Sequence, residues 1–199
     1  MRNYQKELDD FISKNCQKSK PRLLFHCCCA PCSSYVTEYL HEFFDLTLFF
    51  YNPNITESEE YEKRKAELKR YISEVDFGDE ISFIDADYEP ERFFEVSRGL
   101  ENEPERGARC EKCFELRLCK TAKAAKENGF ELFCTTLSIS PHKDADLLMS
   151  IGERLAREYG LTYLPSDFKK KNGYKRSIEL SNEYELYRQN YCGCVFSKR

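Results

Sequence analysis

Apolar residues in this chain gather into short runs divided by longer, charge-laced stretches. Leu23-Leu24-Phe25-His26 reads as a short buried strand, and Leu46 through Tyr51 as a second, closed by Asn52-Pro53-Asn54. Ile81 through Ile84, Glu131 through Thr136 and Leu161-Thr162-Tyr163 complete a set of about five strands. The intervening stretches have helical character. A helix is expected from about Ser33 to His41, a long one from Glu57 to Val75, and a short one from Pro90 through Val96, where proline suits a first turn. Another spans roughly Cys110 to Asn128 with Gly129 as its terminator; Ser140-Pro141 then caps a helix running to Tyr159 and ending at Gly160. Ser177 to Arg188 gives the last one. Strands separated by helices of this length form βαβ units with right-handed crossovers. The expected fold is therefore α/β, a mainly parallel sheet flanked by helices.

At 199 residues, 41% of them hydrophobic, the chain suits a single domain, and no Pro/Gly/Ser-rich linker or repeat divides it. Met1 through Glu7 carries no apolar signal core, and no run reaches the roughly 18 apolar residues that cross a bilayer. A soluble, cytoplasmic protein with no membrane partner is expected. The net charge of −4 hides an uneven layout. Residues 57 to 67 are mixed but acidic, whereas Lys169 through Arg176 concentrates positive charge.

Cysteine changes the picture most. Of 11 cysteines, most fall in three tight groups: Cys28-Cys29-Ala30-Pro31-Cys32, with Cys27 before it, Cys110-Glu111-Lys112-Cys113, and Cys192-Gly193-Cys194. In a reducing compartment such crowding points to metal ligation, an iron–sulfur cluster or dithiol redox chemistry rather than to a disulfide scaffold. The first group directly follows the first strand and precedes a helix, the place where a nucleotide-binding α/β domain carries its glycine-rich phosphate loop. No G-x-G-x-x-G and no G-x-x-x-x-G-K-[ST] occurs. Sulfur has taken the position of a phosphate cradle, beside a helix N-terminus that favours anionic sulfur.

The C-x-x-C at Cys110 and Cys113 alone fits a zinc half-site, a cluster half-site or a dithiol. Together with Cys28 and Cys29 it completes four thiolates from two loops, and adjacent cysteines suit the width of a cubane better than one zinc ion. Cys32 is close enough to join as a further metal ligand. A disulfide across Cys192-Gly193-Cys194 is strained and labile, which favours a redox pair. Cys16, Cys119 and Cys134 read as small hydrophobes, and Cys27 as packing on the opposite strand face. His26 reads as a hydrogen-bonded core residue. The tract Lys169, Lys170, Tyr174, Lys175 and Arg176 is either a solvated loop or a phosphate-binding and base-stacking surface.

These motifs carry a family resemblance: His26-x-Cys28-Cys29-Ala30-Pro31-Cys32-Ser33, Arg109-Cys110-x-x-Cys113-Phe114-x-x-Arg117-Leu118 and Thr135 through Pro141. They continue with Ser166-Asp167-Phe168-Lys169-Lys170-x-x-Gly173-Tyr174-x-Arg176-Ser177 and Tyr187-Arg188-Gln189-x-Tyr191-Cys192-Gly193-Cys194. The chain resembles the cobalamin-independent epoxyqueuosine reductases of the QueH type from about residue 22 onward, leaving residues 1–20 as an N-terminal extension. The resemblance implies an adenine-nucleotide α-hydrolase-like (Rossmann-like) fold and reduction of epoxyqueuosine at the wobble position of tRNA to queuosine, without cobalamin. It implies a [4Fe–4S] cluster on Cys28, Cys29, Cys110 and Cys113, an adjacent mononuclear iron, and a redox-active pair at Cys192 and Cys194. Residues 166–199 would form a tRNA-contact and redox segment, served by an electron donor that the sequence leaves unidentified.

Opening an epoxide to an alkene takes two electrons and two protons, and Asp144, Asp167 and Tyr191 are the candidate proton donors. Two other readings stay open at this point. A zinc-stabilised RNA-binding module leaves Cys192 and Cys194 without a role, and a thiol–disulfide oxidoreductase leaves Cys28, Cys29, Cys110 and Cys113 without one.

Overall fold

In the computed structural model, which describes residues 2–198, the apolar runs become five strands of one sheet: β1 (Arg22–Cys27), β2 (Asp45–Phe50), β3 (Ser82–Asp85), β4 (Leu132–Thr135) and β5 (Thr162–Tyr163). Their order is β3-β2-β1-β4-β5 and every pairing is parallel, with Leu24 opposite both Thr47 and Phe133. β1 is buried from Leu23 to Cys27, as a central strand covered on both faces must be. The chain builds outward from β1 through β2 to β3, then returns to the other side of β1 for β4 and β5. That reversal creates a switch point between the carboxyl ends of β1 and β4, where sheets of this kind bind ligands.

Seven helices surround the sheet: α1 (Tyr4–Asn15), α2 (Ala30–Leu40), α3 (Ser58–Glu74), α4 (Pro90–Ser97), α5 (Ala108–Glu127), α6 (Ala145–Tyr159) and α7 (Gly173–Glu183). α2 packs against α3 and α7, whereas α5 packs against α4, α6 and the central strands. The expected α/β, Rossmann-like class is what forms. Gly129 and Gly160 follow α5 and α6 with positive φ, as terminators do. At Gly152 a Cβ would sit 2.5 Å from the Tyr163 ring, so only glycine lets α6 lie this close to β5.

Three elements differ from the sequence expectation. α6 starts at Ala145 rather than at Ser140-Pro141, because residues 136–139 form a 3-10 turn and the Asp144 carboxylate accepts from Asp146 N and Leu147 N. α7 runs over Gly173–Glu183 rather than 177–188; Glu185, with φ +49, turns the chain out of the helix. Residues 4–15, left without an element by the sequence reading, form a helix whose Tyr4, Leu8 and Ile12 join the main core. Its polar residues dominate the sequence, so the narrow apolar stripe is easily missed.

Leu8 is fully buried. Leu8→Ala is expected to lower unfolding free energy by roughly 2–5 kcal/mol, as for other core leucines. Lys6→Ala, on the exposed side of α1, is expected to change it by less than about 0.5 kcal/mol. Urea denaturation of both variants checks whether α1 belongs to the cooperative core.

Candidate active site

β1 delivers the first cysteine group to the switch point. Cys27 is its last residue and packs inward, its Sγ donating to Phe49 O at 3.4 Å. The chain then leaves the strand, Cys29 caps α2 in an extended conformation, and Pro31 fills the first turn. This brings the sulfurs of Cys28, Cys29 and Cys32 all within 4.8 Å of one another, the one such grouping of three metal-ligating side chains among the described residues. Cys28 and Cys29 Sγ are 3.7 Å apart. Hydrogen bonds from Cys29 and Cys32, helped by the Arg117 guanidinium, hold Cys28 well below the ordinary thiol range. Hydrogen bonding to that thiolate in turn pushes Cys29 up to about 12 and raises Cys32. The metal-free trio therefore carries one negative charge on Cys28, shared among three sulfurs.

Beside it lies a buried cation. Arg117 of α5 is 1% exposed, and its Nη2 donates to Asn52 Oδ1 at 2.7 Å. Its Nε lies 3.3 Å from His26 Nε2 and its Nη1 4.0 Å from Cys113 Sγ. No carboxylate pairs with it among the described residues; the groups that bear on it are the Cys113, Cys28 and Cys192 sulfurs, of which Cys28 is the one held well below the ordinary thiol range. His26 is the core residue that the sequence indicated, bonded to Thr135 Oγ1 at 2.8 Å and Tyr51 O at 3.1 Å. Burial, reinforced by Arg117, lowers its pKa to about 3, so the imidazole is neutral.

The other two cysteine groups approach Arg117 from α5 and from the C-terminal segment. Cys110 lies in the first turn of α5, where Arg106 N donates to its Sγ at 3.3 Å. Cys113, one turn on, is buried with Cys194 and Phe93, and desolvation pushes its thiol up to about 12. Burial also raises Cys194. Residues 187–194 run back across the site as a strap tied down by Arg64, whose side chain is 2% exposed. Arg64 Nη1 donates to Cys192 O at 3.1 Å and Nη2 to Tyr191 O at 3.4 Å, while its Nε is held by Glu60 at 2.6 Å. Gln189 Nε2 reaches Cys29 Sγ at 3.0 Å, and Lys143 Nζ donates to Cys192 Sγ at 3.3 Å.

The first and third segments, with Arg117 of α5, line a cavity of about 460 Å³ whose wall includes Cys28, Cys32, Cys192 and Lys143; Cys110 and Cys113 lie off that wall. Tyr174, 37% exposed, and Tyr191 stand on its lining. The basic tract is less free than its sequence promised. Lys169 pairs with Asp167 at 2.8 Å and Arg176 makes a two-pronged contact with Glu38 at 3.0 and 2.6 Å. Lys175 lies 3.9 Å from Glu179, and Lys170 has no ion-pair partner among the described residues. Asp144 is occupied as the α6 cap, and Asp167 faces Lys169, so neither carboxylate is aimed into the cavity as a free acid.

Three functional side chains lacked an assigned role in the sequence reading: Arg64, Arg117 and Lys143. Arg117 stood in the quoted motif one helical turn after Cys113, which is the signal that could have placed it on the cysteine face. Arg64 sits in a helix laced with charge and gives no such signal. Lys143 sits in the loop after β4, the carboxyl-end position where sites form.

The geometry agrees with what comparison with known proteins finds. The profile described as epoxyqueuosine reductase QueH matches residues 23–199. The chain belongs to the QueH family. It is 47% identical over 182 residues to epoxyqueuosine reductase QueH of Streptococcus pyogenes serotype M1, covering 90% of this chain and 71% of that protein. Its likeness to the Staphylococcus epidermidis relative is 42% over 200 residues, 98% of this chain and 84% of the other. The Thermotoga maritima relative is 35% identical over 175 residues, 88% of this chain and 89% of its own length. Membership of the QueH family makes the cysteine-lined cavity the place to seek the reaction. No helix among the described residues is long and apolar enough to cross a membrane.

Gly193 holds the strap in place with φ +102, and a Cβ there would meet Ile55 Cγ1 at 2.8 Å and Arg64 Nη1 at 3.1 Å. Gly193→Ala is expected to displace residues 191–194 and to destabilise the native state by about 1–3 kcal/mol. Hydrogen exchange should rise in that segment while β1 and β4 keep their protection.

Proposed function

We propose that this chain reduces the epoxide of epoxyqueuosine in tRNA to the alkene of queuosine, with Cys28, Cys29, Cys110 and Cys113 holding a [4Fe–4S] cluster and Cys192 with Cys194 acting as a dithiol. Family membership supports the reaction. The observation that carries the site assignment is Arg117. A guanidinium buried without a carboxylate is strongly unfavourable unless anionic groups accompany it, and here the groups around it are sulfurs from all three cysteine segments, with Cys28 the one whose ionised form the site favours. Four thiolates around iron and sulfide make an anionic assembly, so both the charge and the soft donor set fit. When bound, such a cluster supplies electrons singly, and a mononuclear iron beside it, held in part by Cys32, adds Lewis acidity.

The chain's own residues account for the rest of the chemistry. Conversion of an epoxide to an alkene consumes two electrons and two protons and releases the oxygen as water. Cys192 and Cys194 together store the two electrons, since closing the pair to a disulfide liberates them, and the protons come from the pair and from the group hydrogen-bonded to Cys192 Sγ. With one residue between the sulfurs the ring formed is small and strained, which makes it easy to reduce again by an external donor. Arg64 and Gln189 hold the strap that carries the pair against the first cysteine group.

A nucleoside in an anticodon loop must leave its stack to reach sulfurs at the base of this cavity. The exposed Tyr174 ring at the lining offers it a stacking surface. Lys170 and Lys175 are the phosphate contacts that need no rearrangement, while Lys169 and Arg176 contribute by exchanging Asp167 and Glu38 for phosphate.

Anaerobic purification is expected to yield about four iron and four sulfide per chain. Turnover of epoxyqueuosine-containing tRNA with a strong reductant should give queuosine, read by nucleoside mass spectrometry. Cys113→Ala should lose both iron and turnover. Zinc in place of iron, or an iron-loaded protein that leaves the epoxide intact, would remove this reading. In tRNA binding, Lys170→Ala with Lys175→Ala should weaken affinity and lower the salt dependence by about one to two ion equivalents.

A further inference from the structure

We propose that Lys143 is the proton donor to the oxygen leaving the substrate, paired in the resting site with the Cys192 sulfur. The inference rests on the reaction proposed above. Lys143 is 9% exposed, yet its Nζ lies on the cavity wall 3.3 Å from Cys192 Sγ. Its backbone is fixed on both sides. Lys143 N donates to Ser140 O at 3.1 Å, and the next residue caps α6. The stem passes over the Phe114 ring, with Nζ 5.5 Å from the centroid. The chain thus spends a buried, immobilised ammonium on a spot where the nearest sulfur belongs to the redox pair.

The other proton-carrying groups of the cavity are less suited. Asp144 and Asp167 are engaged in a cap and an ion pair. Tyr191 sits above its ordinary pKa because of burial and Glu60. His142 and Glu105 are exposed at the rim. The ionisable groups that face Lys143 are Cys192, Glu105 at 3.8 Å and, from α5, Cys113 and Cys110. Burial works against a charged lysine, but the contact with Cys192 Sγ outweighs it and holds the Lys143 ammonium above its ordinary range.

The step balances. The step is taken from the Lys143 ammonium–Cys192 thiolate pair that the 3.3 Å contact allows, with Cys194 as a thiol. Both C–O bonds of the epoxide break and a C=C bond forms. The two sulfurs give up two electrons and join as a disulfide. One proton comes from Lys143 and one from Cys194, and the oxygen leaves as water. Two electrons from an external reductant, with two protons from solvent, restore the thiolate, the thiol and the ammonium.

Anaerobically purified full-length protein is treated with iodoacetamide, and the rate of Cys192 alkylation is followed by mass spectrometry from about pH 6 to about pH 10. Lys143→Met is expected to slow alkylation about tenfold or more near neutral pH, with the rates converging at the alkaline end. Lys143→Arg keeps a cation beside the sulfur and should alkylate like the parent. A guanidinium holds its proton too tightly to give it up, so kcat should fall about 100-fold or more in both variants, with KM for tRNA moving less than about threefold. Identical alkylation profiles for Lys143→Met and the parent would overturn the pairing, and full turnover by Lys143→Arg would overturn proton donation. Absence of turnover in the parent would count against the proposed reaction instead, while the alkylation profile would still judge the Lys143–Cys192 pair.

Discussion

A guanidinium sealed inside a protein needs negative charge around it, and among the described residues here its source is sulfur. Arg117 satisfies its donors with the Asn52 amide and lies beside the neutral His26 ring, leaving its charge to the Cys28 sulfur, with Cys113 and Cys192 alongside. The consequence runs in both directions. The cation lowers the cost of holding thiolates in a dry pocket, and the thiolates make the buried cation tolerable. Removing either side would leave the other uncompensated, so the three cysteine segments are tied electrostatically even where they share no direct hydrogen bond.

The fold brings those segments together by two different devices. One is topological: the order β3-β2-β1-β4-β5 opens a crevice beyond β1 and β4, and the first cysteine group follows β1 with no intervening residue. The other is a tie. Residues 187–194 have no regular element to hold them, so position comes from Arg64, Asn54 and Gln189 and from a backbone turn at Gly193 that a side chain would obstruct. A strap held by hydrogen bonds to a few side chains can yield more easily than a sheet, and a thiol pair in the role proposed for it would benefit from that compliance.

Much of this was legible in the residues. The five strands, the parallel α/β class and the position of the first cysteine group follow from apolar runs that lie on central strands, where burial on both faces leaves a strong signal. The spacing of the first cysteine group announced sulfurs close enough to hold a metal, and Cys28, Cys29 and Cys32 are. What escaped notice has a common cause. α1 presents a stripe of Tyr4, Leu8 and Ile12 within a polar segment, and α6 takes its cap from Asp144 rather than from the more conspicuous Ser140-Pro141. Lys169 and Arg176 looked free although Asp167, Glu179 and Glu183 lie close by in sequence, and the two-pronged contact of Arg176 is made with Glu38 of α2. Arg64 and Lys143 act through contacts to residues 128 and 49 positions away, which no local pattern encodes, whereas Arg117 had a local cue in Cys113 but reaches His26 91 positions away.

The substitution of sulfur for a phosphate loop at the end of β1 is chemically consistent rather than a break with the architecture. In a nucleotide-binding sheet the first helix offers free N–H groups and the positive end of its dipole to a phosphate, and glycine keeps side chains out of the way. Here α2 starts at the same point, but with Cys29 as its cap and Pro31 in its first turn. The anion that the helix end favours is now supplied by the protein itself, as the Cys28 thiolate, and the buried cation Arg117 adds to the same field. A site built to stabilise negative charge on oxygen atoms of a ligand can, with that one exchange, stabilise it on sulfur. It then has what a reductive opening of an epoxide requires: electron-rich sulfur held in a dry wall, and an ammonium beside it.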